Sequence, residues 1–559
     1  MKNIRFQNLL FLIIFILLFY QGCSPEADGS FIDYIEESQI KSDLVFLCSD
    51  ELQGREAGTA GGKIAASFLA SQLFGSGLQP LIHNDTTNLL SGYYQKFNMV
   101  GIRPQDVDTR LTVRIKRRTF RAKSGKDYFY FFNSTQQINY TGKVVFAGYG
   151  IKAPEYKYDD LSDLPVQDRV VIVFYGEPLE KDSTHFFNGT HRTHYMLDEW
   201  KSRALGQRGA AAMIVIPTPE NEENYRKFLQ RKSRAQNGWQ FALENSWEIP
   251  VIYLSPEFAR AVFGNRFIEN FQAENQRLRS WLAGSREKPF RWEQIESLPE
   301  KWSISVSYKN PQLRECQNVL GLLPGKDPEL SKEYILVGSH YDHEGIRDGT
   351  IFRGADDNAS GISANLAVLR ALRRLREHPP RRSVVFAFWD AEEKSTLGSR
   401  YFLQNLPIPA QQIKAVFNMD MIGRDASFNF AALRQPMKDA DADRKVMIFY
   451  SAQAPELYQI AKNANNEIGL HLLYDPNLFF TSGSDHMNFH MSQIPVVYYF
   501  TGFHTDYTSP EDTPEKINFN KLTRISRHIA KFVYYLTQLK RTPDFNPEIL
   551  IAPEGDFKM

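Results

Sequence analysis

Residues 334–340 of this 559-residue chain, YILVGSH, give the strongest indication of the fold of its C-terminal half. They form a continuous apolar run that ends in a histidine, as expected of a buried strand. Comparable apolar runs recur downstream at 384–390, 415–423 and 495–500. Between the first two, residues 362–375 carry apolar side chains at helical spacing. Buried strands that alternate with helices are typical of a sheet covered on both faces, so the sequence predicts an α/β fold from about residue 315 onward.

Polar side chains follow the C-terminal ends of these strands, where open α/β sheets bind their ligands. They are His340 and Asp342, then Asp356 and Asp357 in GADDNASG (354–361), Glu392 and Glu393, and finally Asp420. Burying so many carboxylates beside apolar strands is costly unless a cation lies among them. Imidazole and carboxylate ligands without thiolate favour Zn²⁺ over Mn²⁺ or Co²⁺. The sequence therefore predicts a metal pair that shares a carboxylate, with another carboxylate left free as a base.

The ordered set of motifs resembles the co-catalytic zinc aminopeptidase family. This family includes bacterial leucyl aminopeptidases and is more distantly related to glutamate carboxypeptidases and glutaminyl cyclases. The likeness lies in LCSDELQGREAGTAGG at 47, HYDH at 340, GADDNASG at 354, DAEEKSTLGS at 390, NMDMIG at 418, SGSDHMNF at 482 and DYTSPEDTPEKI at 506. It implies a three-layer, phosphorylase/hydrolase-like fold with a mixed central sheet. It also implies a zinc aminopeptidase, with two zinc ions and a peptide substrate.

The resemblance also gives individual residues a role. The implied metal ligands are His340 and Asp420 for the first zinc, Glu393 for the second, and Asp357 as the bridge between them. Glu392 is the implied general base, which later donates its proton to the leaving amine. Asp342 is implied to accept the hydrogen bond of the His340 ring, a contact that fixes the tautomer of a ligand.

The last motif departs from the family pattern. The family usually reads D-Y-H-x-P-x-D-T, and its histidine is the terminal ligand of the second zinc, whereas the aligned residue here is Thr508. A neutral hydroxyl is a poor zinc ligand, so two possibilities stay open. Either His504, four residues earlier, replaces the missing ligand, or the second metal is weak or absent and one zinc binds. Glutaminyl cyclases hold their single zinc with the ligand set that is incomplete here, which makes a cyclase the poorer prediction.

Other classes of function are weaker interpretations. A catalytically impaired or non-catalytic homologue that binds peptides is the main rival, because Thr508 stands at a ligand position. A serine hydrolase is disfavoured because no G-x-S-x-G nucleophile motif occurs in the chain, and the H-E-x-x-H motif of other zinc proteases is also absent. With 66 basic and 65 acidic residues the formal charge is +1, so no global field attracts a nucleic acid.

The N-terminus predicts export. Lys2 and Arg5 precede the apolar run LLFLIIFILLFY, Leu9 to Tyr20, which is too short to span a bilayer comfortably. Gly22 before Cys23 resembles a bacterial lipoprotein signal, although Tyr20 stands where an aliphatic residue is usual. We therefore expect residues 1–23 to be a signal peptide whose cysteine carries a lipid tether to the membrane, facing the periplasm or exterior. A simple secretory signal or an uncleaved anchor is the alternative.

The remaining chain divides by composition and by the resemblance. The predicted units are a tether (24–30), a first peptidase part (31–140), a β-rich insert (141–255), a helical connector (256–309) and a second peptidase part with the metal site (310–545). The insert is similar to a protease-associated domain in GYGIKAPEYKYDDL and GAAAMIVI. Cys48 and Cys316 are expected to be buried thiols or at most one bridge.

Overall fold

The structure is a computed structural model that describes residues 29–82, 88–178, 187, 193–235, 238–284, 290, 292, 299, 301–476, 483–547 and 549. The predicted signal peptide with Cys23 lies outside these residues, as does most of the predicted tether. Within the described part of the chain, no helix combines the length and the apolar composition needed to cross a membrane.

Helices and strands alternate along the described residues. The helices are α1 (Glu37–Leu47), α2 (Ala60–Gly75), α3 (Asp198–Gly206), α4 (Glu222–Ala235), α5 (Pro256–Phe263), α6 (Asn265–Ala283), α7 (Gly361–Arg374), α8 (Leu397–Gln404), α9 (Glu456–Ala464), α10 (His486–Met491) and α11 (Phe519–Gln538). The strands of the first half are β1 (Gln79–Pro80), β2 (Tyr94–Ile102), β3 (Val107–Ile115), β4 (Arg118–Ala122), β5 (Tyr128–Tyr130), β6 (Ile138–Gly142), β7 (Val145–Phe146), β8 (Lys152–Ala153), β9 (Tyr158–Asp159), β10 (Val170–Phe174), β11 (Ala212–Ile216), β12 (Gln240–Leu243) and β13 (Val251–Leu254). Those of the second half are β14 (Lys301–Tyr308), β15 (Gln312–Leu323), β16 (Tyr334–His340), β17 (Gly345–Arg347), β18 (Thr350–Phe352), β19 (Ser383–Trp389), β20 (Ile413–Met419), β21 (Lys445–Tyr450), β22 (His471–Asp475) and β23 (Val496–Phe500).

The largest sheet is mixed. Its order is β12-β2-β15-β19-β16-β20-β23-β21-β22, with β1 paired to β15. The central strands β19, β16, β20 and β23 are parallel, and antiparallel pairs flank them on both sides. The four predicted buried strands are the same four strands, and the predicted helix is α7. The predicted fold class, a mixed sheet flanked by helices, is confirmed.

Two apolar cores cover the two faces of this sheet. Successive residues of a strand point to opposite faces, so Ile335 and Val337 of β16 join one core and Leu336 joins the other. The first core includes apolar residues of α1, α2, α7 and α11, and the second includes residues of α8 and α10. Every residue of β19 is buried, as a strand covered on both faces requires. The main sheet is thus the middle one of three layers.

Most of the predicted insert forms a second β-rich body, but this body also includes β3, β4 and β5 from the predicted first peptidase part and β14 from the predicted connector. A five-stranded sheet has the order β5-β13-β11-β10-β7, and a four-stranded antiparallel sheet has the order β4-β3-β14-β6. Strand β12 pairs with β2 at the edge of the main sheet. Glu248 lies beyond this strand, and its Oε1 accepts bonds from Nε and Nη2 of Arg203 at 3.1 and 2.9 Å. The same oxygen lies 3.8 Å from Nη1 of Arg400 in α8, so a buried ion cluster joins the two bodies.

Candidate metal centre

The register of the main sheet brings predicted site residues to its C-terminal edge. Parallel pairing of β16 with β20 sets Gly338 beside Asn418. Two residues after this pair, His340 ends β16 and Asp420 directly follows β20. The two side chains therefore lie next to each other at the same edge of the sheet. The segment Ala355–Ser360, which leads into α7, supplies Asp357 at the same edge.

His340, Asp357 and Asp420 form the first group that could hold a metal ion. His340 Nε2 lies 3.3 Å from Asp357 Oδ1 and 3.3 Å from Asp420 Oδ1. The other ring nitrogen, Nδ1, lies 3.1 Å from the carbonyl oxygen of Asp342, which can only accept, so Nδ1 carries the hydrogen. In a neutral ring, Nε2 then points a lone pair at two carboxylate oxygens. Two ligands of a tetrahedral zinc, each about 2.0–2.1 Å from the ion, stand about 3.3 Å apart, so this group fits zinc.

His343, Asp357 and Glu393 form a second group. His343 Nδ1 lies 2.8 Å from Glu393 Oε1 and 3.9 Å from Asp357 Oδ2. The two oxygens of Asp357 therefore face different groups, with Oδ1 toward His340 and Oδ2 toward His343. A carboxylate shared in this way is what a two-metal centre requires of its bridge.

The charges of the centre indicate that it needs a cation. Burial, together with the charges of neighbouring carboxylates, raises the pKa of Asp357 to about 6 and that of Glu393 to about 8. Burial also holds the pKa of Glu392 well above its usual value. Burial alone would lower the pKa of His340, but the charges of Asp420 and Glu392 raise it well above its usual value. Without a metal, protons thus supply the positive charge that a metal ion would otherwise supply.

Asp342 has a different contact from the one predicted. The acceptor for the His340 ring is the main-chain carbonyl of Asp342, while its carboxylate oxygen lies 3.8 Å from the same nitrogen. The carboxylate instead accepts the amide of Glu392 at 2.9 Å and that of Glu393 at 3.3 Å. This corrects the predicted partner, since the turn after β19 competes successfully for the side chain. Asp342 therefore orients the two glutamates, and its backbone orients the histidine.

Asp512 orients the bridging residue in a similar way. Its Oδ2 accepts the amides of Asp356 at 2.9 Å and of Asp357 at 3.1 Å. The Asp356 carboxylate points elsewhere, and its Oδ1 accepts the amide of Gly423 at 2.6 Å. The two adjacent acids thus differ, with Asp357 in both ligand groups and Asp356 in neither.

The His504 ring does not lie in either ligand group. Its Nε2 lies 3.3 Å from Asp356 Oδ2, and the ring is absent from both ligand groups found among the described residues. The structure places the His504 ring against the acid that faces away from the groups, and its role as a replacement ligand stays a prediction. Thr508 has a left-handed backbone with φ of 50°.

Three further residues of the site were missed from the sequence. His343 was visible as the second histidine of HYDH, three residues beyond the first. Burial and the charges of four site carboxylates raise the pKa of Tyr507, which stays a neutral donor beside them. Asp485 is buried, accepts a bond from Ser399 Oγ at 2.5 Å, and has its pKa raised to about 7 mainly by burial. The motifs containing Tyr507 and Asp485 were recognised, but only the fold shows that these side chains approach the centre.

The chain is similar in sequence to known peptidases. Residues 318–533 match the family described as Peptidase family M28. Leupeptin-inactivating enzyme 1 of Streptomyces exfoliatus is 30% identical over 203 residues, 36% of this chain and 38% of that protein. Aminopeptidase YwaD of Bacillus subtilis is 24% identical over 273 residues, 47% of this chain and 54% of that protein. A probable leucine aminopeptidase of Arthroderma otae is 23% identical over 249 residues, 43% and 60% of the two chains. The matched regions thus span about 40–60% of the length of these curated relatives.

Solved structures of aminopeptidases are also similar. An aminopeptidase from Aneurinibacillus sp. strain AM-1 aligns with a TM-score of 0.44 and 17% identity over 93% of this chain and 97% of that one. A zinc aminopeptidase from Bacillus subtilis aligns with a TM-score of 0.42 and 18% identity over 91% and 98% of the two chains. The resemblance stated from the motifs agrees with the family match, because residues 318–533, which match peptidase family M28, carry both ligand groups.

Proposed function

We propose that the chain is a zinc-dependent aminopeptidase that removes N-terminal residues from peptides. The observation that carries the proposal is the pair of histidine–carboxylate groups that share Asp357. Relatives described as aminopeptidases, together with the family of residues 318–533, support peptides as the substrate class.

The donor set of the centre fits two zinc ions. His340 and Asp420 would hold the first, Glu393 would hold the second, and Asp357 would contact both. Imidazole nitrogens and carboxylate oxygens without thiolate suit zinc, and all of these side chains are buried or nearly so. When bound, the ions would polarise the scissile carbonyl and lower the pKa of the attacking water.

Glu392 is the residue best placed to move the proton. Its amide is fixed by Asp342, and its buried carboxyl interacts electrostatically with His340 and Asp420 of the first group, so it lies where a general base belongs. In the proposed reaction the oxygen of water bonds to the carbonyl carbon while a proton passes to Glu392. The carbon–nitrogen bond then breaks, and Glu392 returns that proton to the leaving amine.

Tyr507 is a donor for the charge that develops on the substrate. Its hydroxyl stays protonated because burial and the nearby carboxylates disfavour the phenolate. A neutral hydroxyl at a centre rich in carboxylates can donate to a carbonyl oxygen that gains negative charge. Tyr507 therefore has the properties of an oxyanion donor in this proposal.

The replacement Glu392→Gln tests the proposal. We expect turnover of aminoacyl p-nitroanilides to fall by a factor of about 100 to 10,000, the usual contribution of a general base, while zinc content stays unchanged. Glu329→Gln, at an exposed glutamate, is the matched control and keeps full turnover. Wild-type rates in Glu392→Gln would end the assignment of the base.

Zinc content and products separate the alternatives. A chain that binds no zinc and retains peptides without cleaving them would be the non-catalytic peptide binder. Release of ammonia from an N-terminal glutaminyl peptide, without a shortened product, would identify a cyclase. A free N-terminal amino acid appearing with zinc dependence supports the aminopeptidase.

We further propose that the protein is exported and tethered by lipid at Cys23. The support is the short apolar run and the glycine before the cysteine, both outside the described residues. Cys23→Ser should move the protein from the membrane fraction to the soluble fraction, and unchanged membrane retention would contradict the lipid tether.

A further inference from the structure

We propose that His343 is the imidazole ligand of the second metal position, and that the loop 502–517 supplies no ligand to it. The inference rests on the proposed function only in taking the centre to bind metal, and it is independent of the substrate. The residue that takes the place of the missing histidine ligand then lies on the connection that follows β16.

The first support is the position of the His343 ring. The side chain is buried, and its Nδ1 faces both other members of the second group, Glu393 Oε1 at 2.8 Å and Asp357 Oδ2 at 3.9 Å. These distances bracket the separation of about 3.3 Å between two zinc ligands that each lie about 2.0–2.1 Å from the ion. The ring therefore lies where a third ligand of the second ion belongs.

The second support is the way the ring is held. A Cβ at Gly354 would lie 2.6 Å from Cγ and Cδ2 of His343, so the ring fits only beside a glycine. The His343 amide donates to the carbonyl of Arg55 at 3.3 Å. The Arg55 guanidinium donates to the carbonyls of Tyr341 at 2.9 Å and Gly354 at 3.0 Å, which flank the ring. A buried arginine thus fixes the chain on both sides of His343.

The third support is that side chains of the loop are committed elsewhere. Asp506 pairs with Arg424 at 2.7 Å and with Lys516 at 3.0 Å. Asp512 accepts hydrogen bonds from the amides of Asp356 and Asp357. The His504 ring faces the Asp356 carboxylate. Among the described residues, neither ligand group includes a member of this loop. The loop therefore positions Asp357 and contributes no ligand atom.

Zinc titration of the metal-free full chain tests this assignment with a readout other than activity. Isothermal titration calorimetry with Zn²⁺, together with elemental analysis, should give two ions for the wild type and one for His343→Ala. The remaining ion should bind with wild-type affinity at the site of His340. His504→Ala and Thr508→Ala, the matched variants in the loop, should each keep two ions.

The outcomes separate the inference from the proposed function. Retention of one tight ion by His343→Ala shows that the variant is folded, and His343→Gln, which is closer in size, provides an independent second variant. Two ions with unchanged affinity in both variants would overturn the assignment of His343. Loss of one ion in His504→Ala or Thr508→Ala would show that the loop 502–517 supplies a ligand, and would overturn the proposal. A wild type that binds two ions but cleaves no peptide would overturn the proposed function alone.

Discussion

The two ligand groups share Asp357 but are built in different ways. In the first, His340 and Asp420 sit at the ends of neighbouring parallel strands whose register sets them side by side. In the second, His343 and Glu393 lie beyond the strand ends, where loops meet. The backbone of the sheet positions the first group, and packing between distant segments positions the second.

This difference has consequences for stability and for change in sequence. Ladder hydrogen bonds of a central parallel strand fix the first group, and moving it would require a shift of the sheet register. The second group depends on Arg55 and Gly354, which come from segments far apart in the chain. We therefore expect the second metal position to respond more strongly to distant substitutions and to tolerate a new source of ligand.

The largest expected effect comes from the residue that both groups share. Asp357→Asn replaces one charged oxygen by an amide, so both zinc affinities should fall by more than the roughly 10- to 100-fold typical of an outer partner. Zinc content and kcat/KM measured together check this expectation. Asp356→Asn is the matched control, since Asp356 lies in neither group. Loss of only one ion in Asp357→Asn would contradict the bridging role.

Arg55→Lys should lower the zinc affinity of the second group more than that of the first. A lysine cannot replace the bonds that the guanidinium makes to the carbonyls of Leu47, Tyr341, Arg353 and Gly354. Because each buried carbonyl left without a partner costs about 1–3 kcal/mol, we expect a stability loss of about 3 kcal/mol or more. Affinity for the second ion should fall more than affinity for the first, as calorimetric titration would show.

Arg382→Lys is the control for Arg55→Lys. Arg382 is equally buried but donates to carbonyls at the end of α11, away from the centre. The Arg382→Lys variant should have a lower melting temperature but unchanged affinity for both zinc ions. Equal losses of both ions in Arg55→Lys would show that the groups are not positioned independently.

Asp512 should have a smaller effect that the two groups share. Asp512→Ala removes the acceptor of the Asp356 and Asp357 amides, and kcat/KM should fall about 10- to 100-fold, as for other partners of a ligand. Asp512→Asn keeps an oxygen that can accept these amides, so it should recover most of the loss. If the alanine and asparagine variants lost kcat/KM equally, the lost negative charge, and not the lost hydrogen bonds, would be the cause of the fall.

The sequence predicted most of what the sheet positions. β16 has the predicted bounds, and His340 and Asp420 come together because they stand at the ends of neighbouring parallel strands, while Asp357 joins them from the segment that leads into α7. It did not predict His343, because HYDH gives no sign of which loop will face Glu393. The position of His504 was hidden for the same reason, since a distance of four residues from position 508 says nothing about which of two adjacent acids the ring will meet. The pairing of β12 with β2 was equally hidden, because residues far apart in sequence form it.

The metal-free chain should lose stability as the pH rises, by the smallest of these effects. The folded-state pKa values of Asp357, about 6, and Glu393, about 8, exceed those of the unfolded chain, as does that of His340. Groups with a raised pKa stabilise the fold while protonated, so their contribution is present below about pH 4 for the acids and is lost as pH rises through the folded values. The melting temperature of the metal-free protein should therefore fall between pH 5 and 8 by a few degrees.

Zinc should remove this fall, because a bound cation replaces the protons, and metal binding should release protons. His343→Ala with its first ion bound should keep part of the fall, since Glu393 in the second group would still need a proton. Identical pH profiles of this variant and the zinc-loaded wild type would mean that the second group needs no cation.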